Sequence, residues 1–219
     1  MIKYHVGCGR RNFKGYLNVD FPRDHHIEGN KIKADIYADI KTMQYDRSEE
    51  IRSHHVFEHF GYVDSFILLI KWTLSLVHKG TLIIEVPDVE ALGSALNNAS
   101  FSKTSKIIRY LFGDQGAHWA YHINGWTSVS LRTVLNKMGY RNMQVTKKGN
   151  IKSELPNCSI LVKAFKQVEY EKGYLIDVAK ELLFNYLNCT KEKQAPSELV
   201  LYNEYCKKLL EGVNDGRES

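Results

Sequence analysis

The sequence predicts an α/β domain built on a largely parallel β-sheet. Short extended runs alternate with helical patterns along the first ninety residues, which is typical of strands joined by crossover helices. One run, residues 81–86, is apolar and β-rich enough for a strand covered on both faces. Two strand-like runs around residue 150 and two amphipathic patterns after residue 170 complete the order of elements.

The elements of the first ninety residues follow from local patterns. Residues 3–6 and 16–19 are predicted strands, each ended by a turn signal or an acid, and residues 35–40 and 51–56 are two further candidates. A helix comes next, with Gly80 at the position of a C-terminal cap. Its apolar residues recur at helical spacing: Val63, Phe66, Ile67, Ile70, Leu74 and Val77.

The second half of the chain predicts an insertion, a hairpin and a helical tail. Residues 89–128 have no regular period, whereas residues 129–138 predict a helix that Gly139 ends. Only a turn-rich segment separates the strand candidates 142–146 and 159–165, so we expect a hairpin that closes the sheet. Each tail helix has an apolar stripe, formed by Leu175, Val178, Leu182 and Tyr186 in the first and by Leu199, Tyr202, Cys206, Leu209 and Val213 in the second.

Length and composition exclude several classes of protein. The chain has 219 residues, 43% of them hydrophobic and 25% charged, which suits a globular core and excludes a wholly disordered chain. No run approaches the ~20 apolar residues of a membrane span, and the first residues lack the apolar region of a secretion signal. The four cysteines lie far apart, which argues against a zinc ribbon or a disulfide scaffold. We therefore expect a soluble, cytoplasmic protein with no metal site.

The net charge of +5 comes from one segment. Residues 91–153 hold nine basic residues and a single acid, Asp114, whereas the segments on either side are slightly acidic. Clustered positive charge raises the local concentration of anionic ligands. The segment is therefore either a solvated basic face or a surface that meets an anionic partner.

A glycine turn and an acid stand at the ends of the first two predicted strands. Gly7 and Gly9 follow the first strand, and Asp20 ends the second. Such a turn lets a ligand approach the backbone, and an acid at the next strand end can accept hydrogen bonds from ribose hydroxyls. The third glycine of the dinucleotide fingerprint is missing because position 12 is Asn, which argues against an ordinary nicotinamide site. Taken alone, the two glycines fit a plain tight turn better than a ligand site.

Several motifs in succession give these residues a sharper interpretation. They are Val6-Gly7-Cys8-Gly9, Gly15-Tyr16-Leu17-Asn18-Val19-Asp20, Ala38-Asp39-Ile40, His55-Val56-Phe57-Glu58-His59 and, after the helix, Lys79-Gly80-Thr81-Leu82-Ile83-Ile84-Glu85-Val86-Pro87-Asp88. The succession resembles class I S-adenosylmethionine-dependent methyltransferases, and among them the small type found with polysaccharide biosynthesis enzymes. The resemblance implies a Rossmann-like fold with a mostly parallel seven-stranded sheet, an antiparallel closing hairpin and C-terminal helices.

The resemblance also implies which residues bind the cofactor, S-adenosylmethionine. Gly7 and Gly9 would line its methionine and ribose parts, and Asp20 would hold the ribose hydroxyls. Asp39 would accept a hydrogen bond from the adenine amino group, and His55 would lie near the methionine end.

Two residues depart from the family pattern. The family usually has an acid or an amide where His5 stands, and often a third glycine where Arg11 stands. With His5, the chain lacks a carboxylate that commonly helps to hold the methionine ammonium group. A non-catalytic protein with the same fold is therefore an alternative to an enzyme.

The motif around Glu58 has two interpretations. His55, Glu58 and His59 match the inverted zinc-peptidase helix, in which the histidines would bind zinc and the glutamate would act as base. That interpretation leaves the glycine turn and the spaced aspartates unexplained. In the methyltransferase interpretation, His59 is a catalytic candidate that could deprotonate an acceptor hydroxyl, although Glu58 and His59 could equally cap or pack a helix.

The insertion after the fifth predicted strand supplies a second catalytic candidate, His118. In this fold, insertions at that position commonly cover the acceptor, and histidines and aromatic side chains suit a lid that binds a sugar. The alternative is a local aromatic core. The cluster consists of His118, Trp119, Tyr121, His122 and Trp126.

The sequence as a whole predicts a methyltransferase domain over residues 1–165, with a lid at 89–128 and a helical extension at 166–219. The acceptor would be a carbohydrate or another small anionic molecule, because the basic segment coincides with the lid. A nucleic-acid methyltransferase is less favoured, since no motif for base amines is present. The two apolar stripes of the tail need a partner surface, either on the domain or on a second subunit of a homodimer.

Overall fold

One β-sheet forms the centre of the molecule. The computed structural model describes residues 1–22, 31–150, 152, 157–187 and 196–214. The strands in these residues are β1 (Ile2–Val6), β2 (Leu17–Asp20), β3 (Ile36–Tyr37), β4 (Ser48–His54), β5 (Leu76–Pro87), β6 (Tyr140–Lys148) and β7 (Ser159–Lys166). They form a seven-stranded sheet in the order β3-β2-β1-β4-β5-β7-β6.

The sheet is mixed, as the sequence predicts. Parallel pairing joins β1 to β2 and β4, β2 to β3, and β4 to β5. The last strand, β7, lies antiparallel to both β5 and β6, so the expected closing hairpin is confirmed. The helices are α1 (Tyr62–Ser75), α2 (Val89–Leu96), α3 (Phe101–Phe112), α4 (Ser128–Lys137), α5 (Lys172–Tyr186) and α6 (Pro196–Asn214).

The boundary between α1 and β5 differs from the sequence-based expectation. We expected the helix to reach Val77 and to be capped by Gly80, but α1 ends at Ser75 and the strand begins at the next residue. The pairing of β5 with β4 then jumps from Leu76 to Thr81, so residues 77–80 form an irregularity within the strand. A Cβ at Gly80 would lie 2.8 Å from the carbonyl oxygen of Val77. Close packing of the backbone at this irregularity, and not a helix cap, requires the glycine.

The expectation that residues 89–128 are irregular was wrong, because they contain α2 and α3. The side chains of Asp88 and Ser100 cap these helices, each accepting a hydrogen bond from the backbone amide three residues later. The apolar pattern did not reveal the helices because each buries a single residue, Leu92 in α2 and Ile107 in α3. Capping residues carry the local signal that hydrophobic periodicity lacks here.

Both tail helices pack against α1. Leu175 and Leu183 of α5 and Leu209 of α6 are fully buried in the main core. The approach of α6 is close, since a Cβ at Gly212 would lie 2.4 Å from the Cδ1 atom of Ile67. The domain itself therefore supplies a partner surface for the tail.

The packing of α6 gives the first testable prediction. We expect Leu209→Ala to lower the free energy of unfolding by about 2–4 kcal/mol, because it leaves a cavity between α6 and α1. Leu210→Ala is the matched control, since Leu210 is 38% exposed, and we expect it to cost less than about 1 kcal/mol. Urea unfolding followed by circular dichroism measures both values. Equal effects of the two substitutions would contradict the packing of α6 on the core.

Two further findings concern the length of the apolar helices and the state of the cysteines. In the ranges that the structure describes, no helix combines the length and the apolar character needed to cross a membrane. Cys8, Cys158 and Cys206 are free thiols. Cys189, the turn at Pro156 and the last five residues lie outside the described residues.

Candidate active site

The sheet has a topological switch point between β1 and β4. From β1 the chain order runs outward to β2 and β3 on one side, and to β4 and β5 on the other. In open α/β sheets, ligands bind at such a point, beyond the carboxyl ends of the strands. Gly7 follows β1 there and His55 follows β4. The sequence motifs with glycine and histidine therefore meet at the edge where a ligand is expected.

A cavity of about 620 Å³ opens at this edge. Its size falls within the ordinary range of small-molecule sites. The residues that line it are Gly7, Gly9, Arg10, Asp20, Phe21, Ile32, Ala38, Asp39, Ile40, His55, Val56, His59, Phe60, Asp114 and Trp119. All five residues expected to bind the cofactor are among them, together with the catalytic candidate His59.

Gly7 and Gly9 serve the turn in different ways. Both have positive φ, +67° and +54°, where residues with a Cβ are strained. At Gly7 a Cβ would lie 2.1 Å from the Cγ2 atom of Val56, so the fold itself needs the glycine. At Gly9, no atom of the residues that the structure describes lies within 4 Å of an added Cβ, apart from the two chain neighbours. The turn therefore leaves open space at Gly9, on the wall of the cavity.

Asp20 connects the end of β2 to the glycine turn. The residue is 5% exposed, and its Oδ2 atom accepts a hydrogen bond from the backbone amide of Gly9. Oδ1 accepts another from the amide of Phe21 at 2.8 Å. A carboxylate can accept several hydrogen bonds, and Asp20 presents this acceptor group on the wall of the cavity.

Asp39 lies on the same wall, beyond the end of β3. Its Oδ1 atom accepts a hydrogen bond from the amide of Lys41 at 2.9 Å, and its carbonyl oxygen accepts from Thr42 and Met43. These bonds close a turn that fixes the side chain beside the cavity. The second carboxylate oxygen is the group suited to an amino group of a ligand.

His5, the departure from the family pattern, is a buried residue of β1. Its Nδ1 atom lies 3.3 Å from the Oδ1 atom of Asn18 on β2, and its ring packs edge-on against Phe13. Burial, opposed by the hydrogen bond with Asn18, lowers the pKa of His5 to about 4. The imidazole is therefore neutral at physiological pH, and it does not line the cavity that Gly7 borders.

The depressed pKa of His5 predicts a loss of stability in acid. Its unfolded value is near 6.5, so the unfolded chain binds a proton that the folded chain excludes as the pH falls toward 4. We expect this residue to contribute a loss of about 2 kcal/mol between pH 7 and pH 4.5. His5→Gln cannot take up that proton, so the variant should lose less stability over the same interval. Urea unfolding at the two pH values gives the difference, and equal losses in both proteins would contradict the assignment.

Glu85, a charged residue of β5, fixes the end of the neighbouring strand β4. Its carboxylate accepts hydrogen bonds from Lys148 at 2.7 Å and Ser159 at 2.9 Å, and its Oε2 lies 2.7 Å from Nδ1 of His54. Burial alone would raise the pKa of Glu85, but these partners outweigh burial and lower the pKa to about 2. Its carbonyl oxygen also accepts from the amide of His55 at 2.8 Å. The charged network therefore fixes the backbone from which His55 projects.

His55 and His59 are not arranged as in a zinc-peptidase helix. The segment Phe57–His59 is a single 3-10 turn, and His55 precedes it with φ at +52°. The two residues therefore do not lie one helical turn apart on one face. His55 instead lies with its Nδ1 atom 3.2 Å from Oε1 of Glu58. Burial lowers the pKa of His55, but the bond to Glu58 and the nearby charges outweigh it and raise the value above 6.5.

His122 joins this group from a distant part of the chain. Its Nε2 atom lies 3.8 Å from Oε1 of Glu58, and its ring centroid lies 4.7 Å from that of His59. Burial lowers the pKa of His122, so that its imidazole is neutral at physiological pH. From the sequence, His122 was predicted only as a member of the aromatic cluster, because sixty-four positions along the chain separate it from Glu58.

A second cavity, of about 550 Å³, adjoins the first. His55 and Asp114 line both of them. Two basic side chains of α3, Lys106 and Arg109, stand on the wall of the second cavity. The other lining residues are Tyr110, Gly113, His122 and Asn157. The positive charge of the segment 91–153 thus reaches a concave site next to the candidate cofactor site.

The aromatic cluster of the insertion divides between the core and the site. Trp126 is 1% exposed and stacks against Phe57 with ring centroids 5.1 Å apart, so it belongs to the core. Trp119 lines the first cavity and His122 the second. His118, the second catalytic candidate, is exposed and lines neither cavity.

Comparison with solved structures identifies the fold. An S-adenosylmethionine-dependent methyltransferase from Methanosarcina mazei matches 76% of this chain and 92% of its own, with a TM-score of 0.52 and 10% sequence identity. A chain from a Haloferax volcanii complex of a methyltransferase and its activator matches 78% and 83%, with a TM-score of 0.51 and 11% identity. The chain has the Rossmann-like methyltransferase fold.

The likeness to these proteins is one of fold. An S-adenosylmethionine-dependent methyltransferase from Archaeoglobus fulgidus is 15% identical over 75% of this chain and 85% of its own, with a TM-score of 0.49. No protein-family model matches the sequence, and no curated protein does. The Rossmann-like methyltransferase fold accounts for the sheet order. The chemistry depends on the residues that line the two cavities.

Proposed function

We propose that the protein is an S-adenosylmethionine-dependent methyltransferase that methylates an oxygen atom of a small anionic acceptor. The observation that carries the proposal is the meeting of the glycine turn, Asp20 and Asp39 on one cavity at the switch point of the sheet. Each of the three comes from the end of a different strand, β1, β2 or β3. A plain structural turn would not need two acids beside it on the wall of a cavity.

The residues fit the proposed cofactor. The open space at Gly9 admits a ligand where any side chain would intrude, and the Asp20 carboxylate on the same wall is an acceptor suited to the ribose hydroxyls. Asp39 is placed to accept from the adenine amino group. Apolar walls from Ile32, Ile40 and others suit the adenine ring. His55, which follows β4 and also lines the cavity, would lie near the methionine part.

The adjoining cavity is the proposed acceptor site. It shares His55 and Asp114 with the first cavity, so a ligand in each would lie against the same residues. Lys106 and Arg109 favour an anionic acceptor such as a sugar phosphate or an acidic carbohydrate. Tyr110 on the same wall provides an apolar ring for the body of such a molecule.

The geometry supports transfer by proximity and alignment, with a histidine to assist. The bound cofactor would supply an electrophilic methyl group on its sulfonium ion. His59 donates its Nδ1 proton to the carbonyl oxygen of Tyr121 at 2.9 Å, so its Nε2 atom keeps a lone pair for the acceptor hydroxyl or its proton. Holding both reactants in adjoining cavities accounts for most of the expected acceleration. His118 remains a predicted catalytic residue. Because it is exposed, it would reach the acceptor only when the insertion, residues 89–128, closes over that molecule.

A methyl-transfer assay tests the proposal. Labelled S-adenosylmethionine is offered with sugar phosphates, acidic oligosaccharides and their neutral counterparts. We expect transfer to anionic acceptors, with KM raised at least tenfold in Lys106→Glu and kcat changed much less, because the substitution reverses a charge that binds the acceptor. Lys180→Glu, on the tail helix α5, is the matched control. Binding of the cofactor without transfer to any acceptor would favour the non-catalytic alternative.

Several other properties of the protein are predicted from the sequence and are part of this proposal. The division into a domain over residues 1–165 and an extension over 166–219, the cytoplasmic location and the association with polysaccharide biosynthesis rest on the sequence and its resemblance. A homodimer through the tail is supported by exposed apolar side chains of α6, Leu199 and Val200. Sedimentation equilibrium of the full chain and of Val200→Glu would measure whether that surface joins two subunits.

A further inference from the structure

Three side chains that can bind a metal ion meet where the two cavities adjoin. A carboxylate oxygen of Glu58 and one ring nitrogen each of His59 and His122 lie within 4.8 Å of one another. His59 lines the cofactor cavity and His122 the acceptor cavity. The group therefore lies between the two proposed substrates and not on a remote surface.

Glu58 has a buried oxygen that lacks a partner. Its side chain is 2% exposed, and within the described part of the chain Oε2 makes no hydrogen bond. The other oxygen, Oε1, lies 3.2 Å from Nδ1 of His55 and 3.8 Å from Nε2 of His122. A buried carboxylate oxygen without a partner carries a desolvation cost, which a bound cation would offset.

His59 is held as a metal-ligating histidine usually is. The Nδ1 proton of His59 is donated to the carbonyl oxygen of Tyr121 at 2.9 Å, which fixes the tautomer and leaves the Nε2 lone pair for a metal. The carbonyl oxygen of Glu58 accepts from the amides of Ile123 at 3.1 Å and Asn124 at 3.2 Å. These bonds join the loop that carries His122 to the turn that carries Glu58.

We propose that Glu58, His59 and His122 bind one divalent first-row transition-metal ion between the two cavities. Two imidazoles and one carboxylate favour Zn²⁺, Fe²⁺ or Co²⁺ over the harder Mg²⁺ and Ca²⁺. Metal–ligand bonds of about 2.0–2.2 Å place ligand atoms roughly 3–3.5 Å apart, so the side chains draw together by about an ångström on binding. Three protein ligands leave coordination positions open, as in catalytic metal sites.

The role of the ion rests on the proposed function. An acceptor hydroxyl that binds the ion loses its proton more readily, because the positive charge stabilises the alkoxide. The oxygen then forms a bond to the methyl carbon while the carbon–sulfur bond of the sulfonium breaks, and the hydroxyl proton passes to solvent. The lone pair of His59 binds the ion in this arrangement, so His59 positions the acceptor and does not take its proton.

Metal binding by the full chain tests the inference independently of activity. After treatment with a chelator, we expect the protein to bind one equivalent of Co²⁺ with a visible absorption band, and Zn²⁺ to displace it. Glu58→Gln and His122→Ala should each weaken Co²⁺ binding at least tenfold. His78→Ala is the matched control, because His78 is exposed near the start of β5, where it pairs with Glu169. Unchanged binding in both ligand variants would overturn the proposal, as would no binding to the wild type.

A second measurement needs no variant and so does not depend on their folding. Histidine modification by diethyl pyrocarbonate, read by mass spectrometry, should show protection of His59 and His122 by Zn²⁺ while His78 reacts as before. Equal protection of all three, or of none, would contradict the site. Titration of the same protein with S-adenosylmethionine separates the metal site from the proposed function. The protein can bind the cofactor without binding the metal, and it can bind the metal without binding the cofactor.

Discussion

Asp20→Ala is expected to weaken the binding of S-adenosylmethionine at least tenfold. The carboxylate lies at the end of β2 on the cavity wall, where it would accept hydrogen bonds from the ribose hydroxyls of the proposed cofactor. Hydrogen bonds to a charged group contribute about 1.5–3 kcal/mol each, and about 1.4 kcal/mol corresponds to a factor of ten in affinity. Titration calorimetry measures the affinity, and a melting curve of the same protein measures the effect on the fold.

The contact of Asp20 with Gly9 makes controls necessary. Asp20→Asn keeps one oxygen for the amide of Gly9 but loses the charge, so its affinity should fall between those of the wild type and Asp20→Ala. Asp35→Asn is the matched control, because Asp35 also holds a strand, through Asn18, but lies outside the cavity lining. A well-folded Asp20→Ala protein with unchanged affinity would contradict the cofactor assignment of the whole glycine turn.

Gly9→Val is expected to abolish measurable cofactor binding, with a loss of at least a hundredfold. The added side chain would occupy the open space on the cavity wall where the proposed cofactor would approach the backbone. A factor of a hundred corresponds to about 2.7 kcal/mol, which steric overlap with a bound ligand readily exceeds. The protein should remain folded, because no atom of the described residues, apart from the chain neighbours of Gly9, lies within 4 Å of the new Cβ.

Gly15→Val separates this effect from backbone strain. Gly15 also has positive φ, +84°, and an added Cβ there meets no atom of the described part of the chain within 4 Å, its two neighbours aside. Gly15 lies outside the cavity lining. Both substitutions should therefore lower the free energy of unfolding by a similar amount, on the order of 1–3 kcal/mol. Only Gly9→Val should lose the cofactor. Loss of binding in both variants would mean that strain in the turn, and not contact with a ligand, explains the result.

The parts of the fold that the sequence predicted are those with strong local signals. The hairpin of β6 and β7 and the helix α4 follow from apolar periodicity and from Gly139, whose φ of +96° matches its place after the helix. The end of α1 was misplaced because apolar residues continue without a break from the helix into β5. The helices α2 and α3 were missed because each buries only one residue, so their stability comes from caps and contacts elsewhere.

The candidate site likewise has one part that could be predicted from the sequence and another part that could not. The glycine turn, Asp20 and Asp39 lie at strand ends, and parallel strands bring such ends to one edge of a sheet, so their meeting followed from the order of motifs. The group of Glu58, His59 and His122 depends on a loop that returns over the site after two helices. No local pattern encodes that return. The neutral state of His5 likewise depends on burial against β2, which the sequence of β1 alone does not show.

The central claim is that the cavity at the switch point binds S-adenosylmethionine. Titration calorimetry of the wild-type full chain with S-adenosylmethionine, with adenosine triphosphate as a control of similar size, tests this most directly. We expect saturable binding of one equivalent of S-adenosylmethionine, a melting temperature that rises with its concentration, and no comparable effect of the control. If millimolar S-adenosylmethionine produced neither heat nor a melting shift, the cavity would not be a cofactor site.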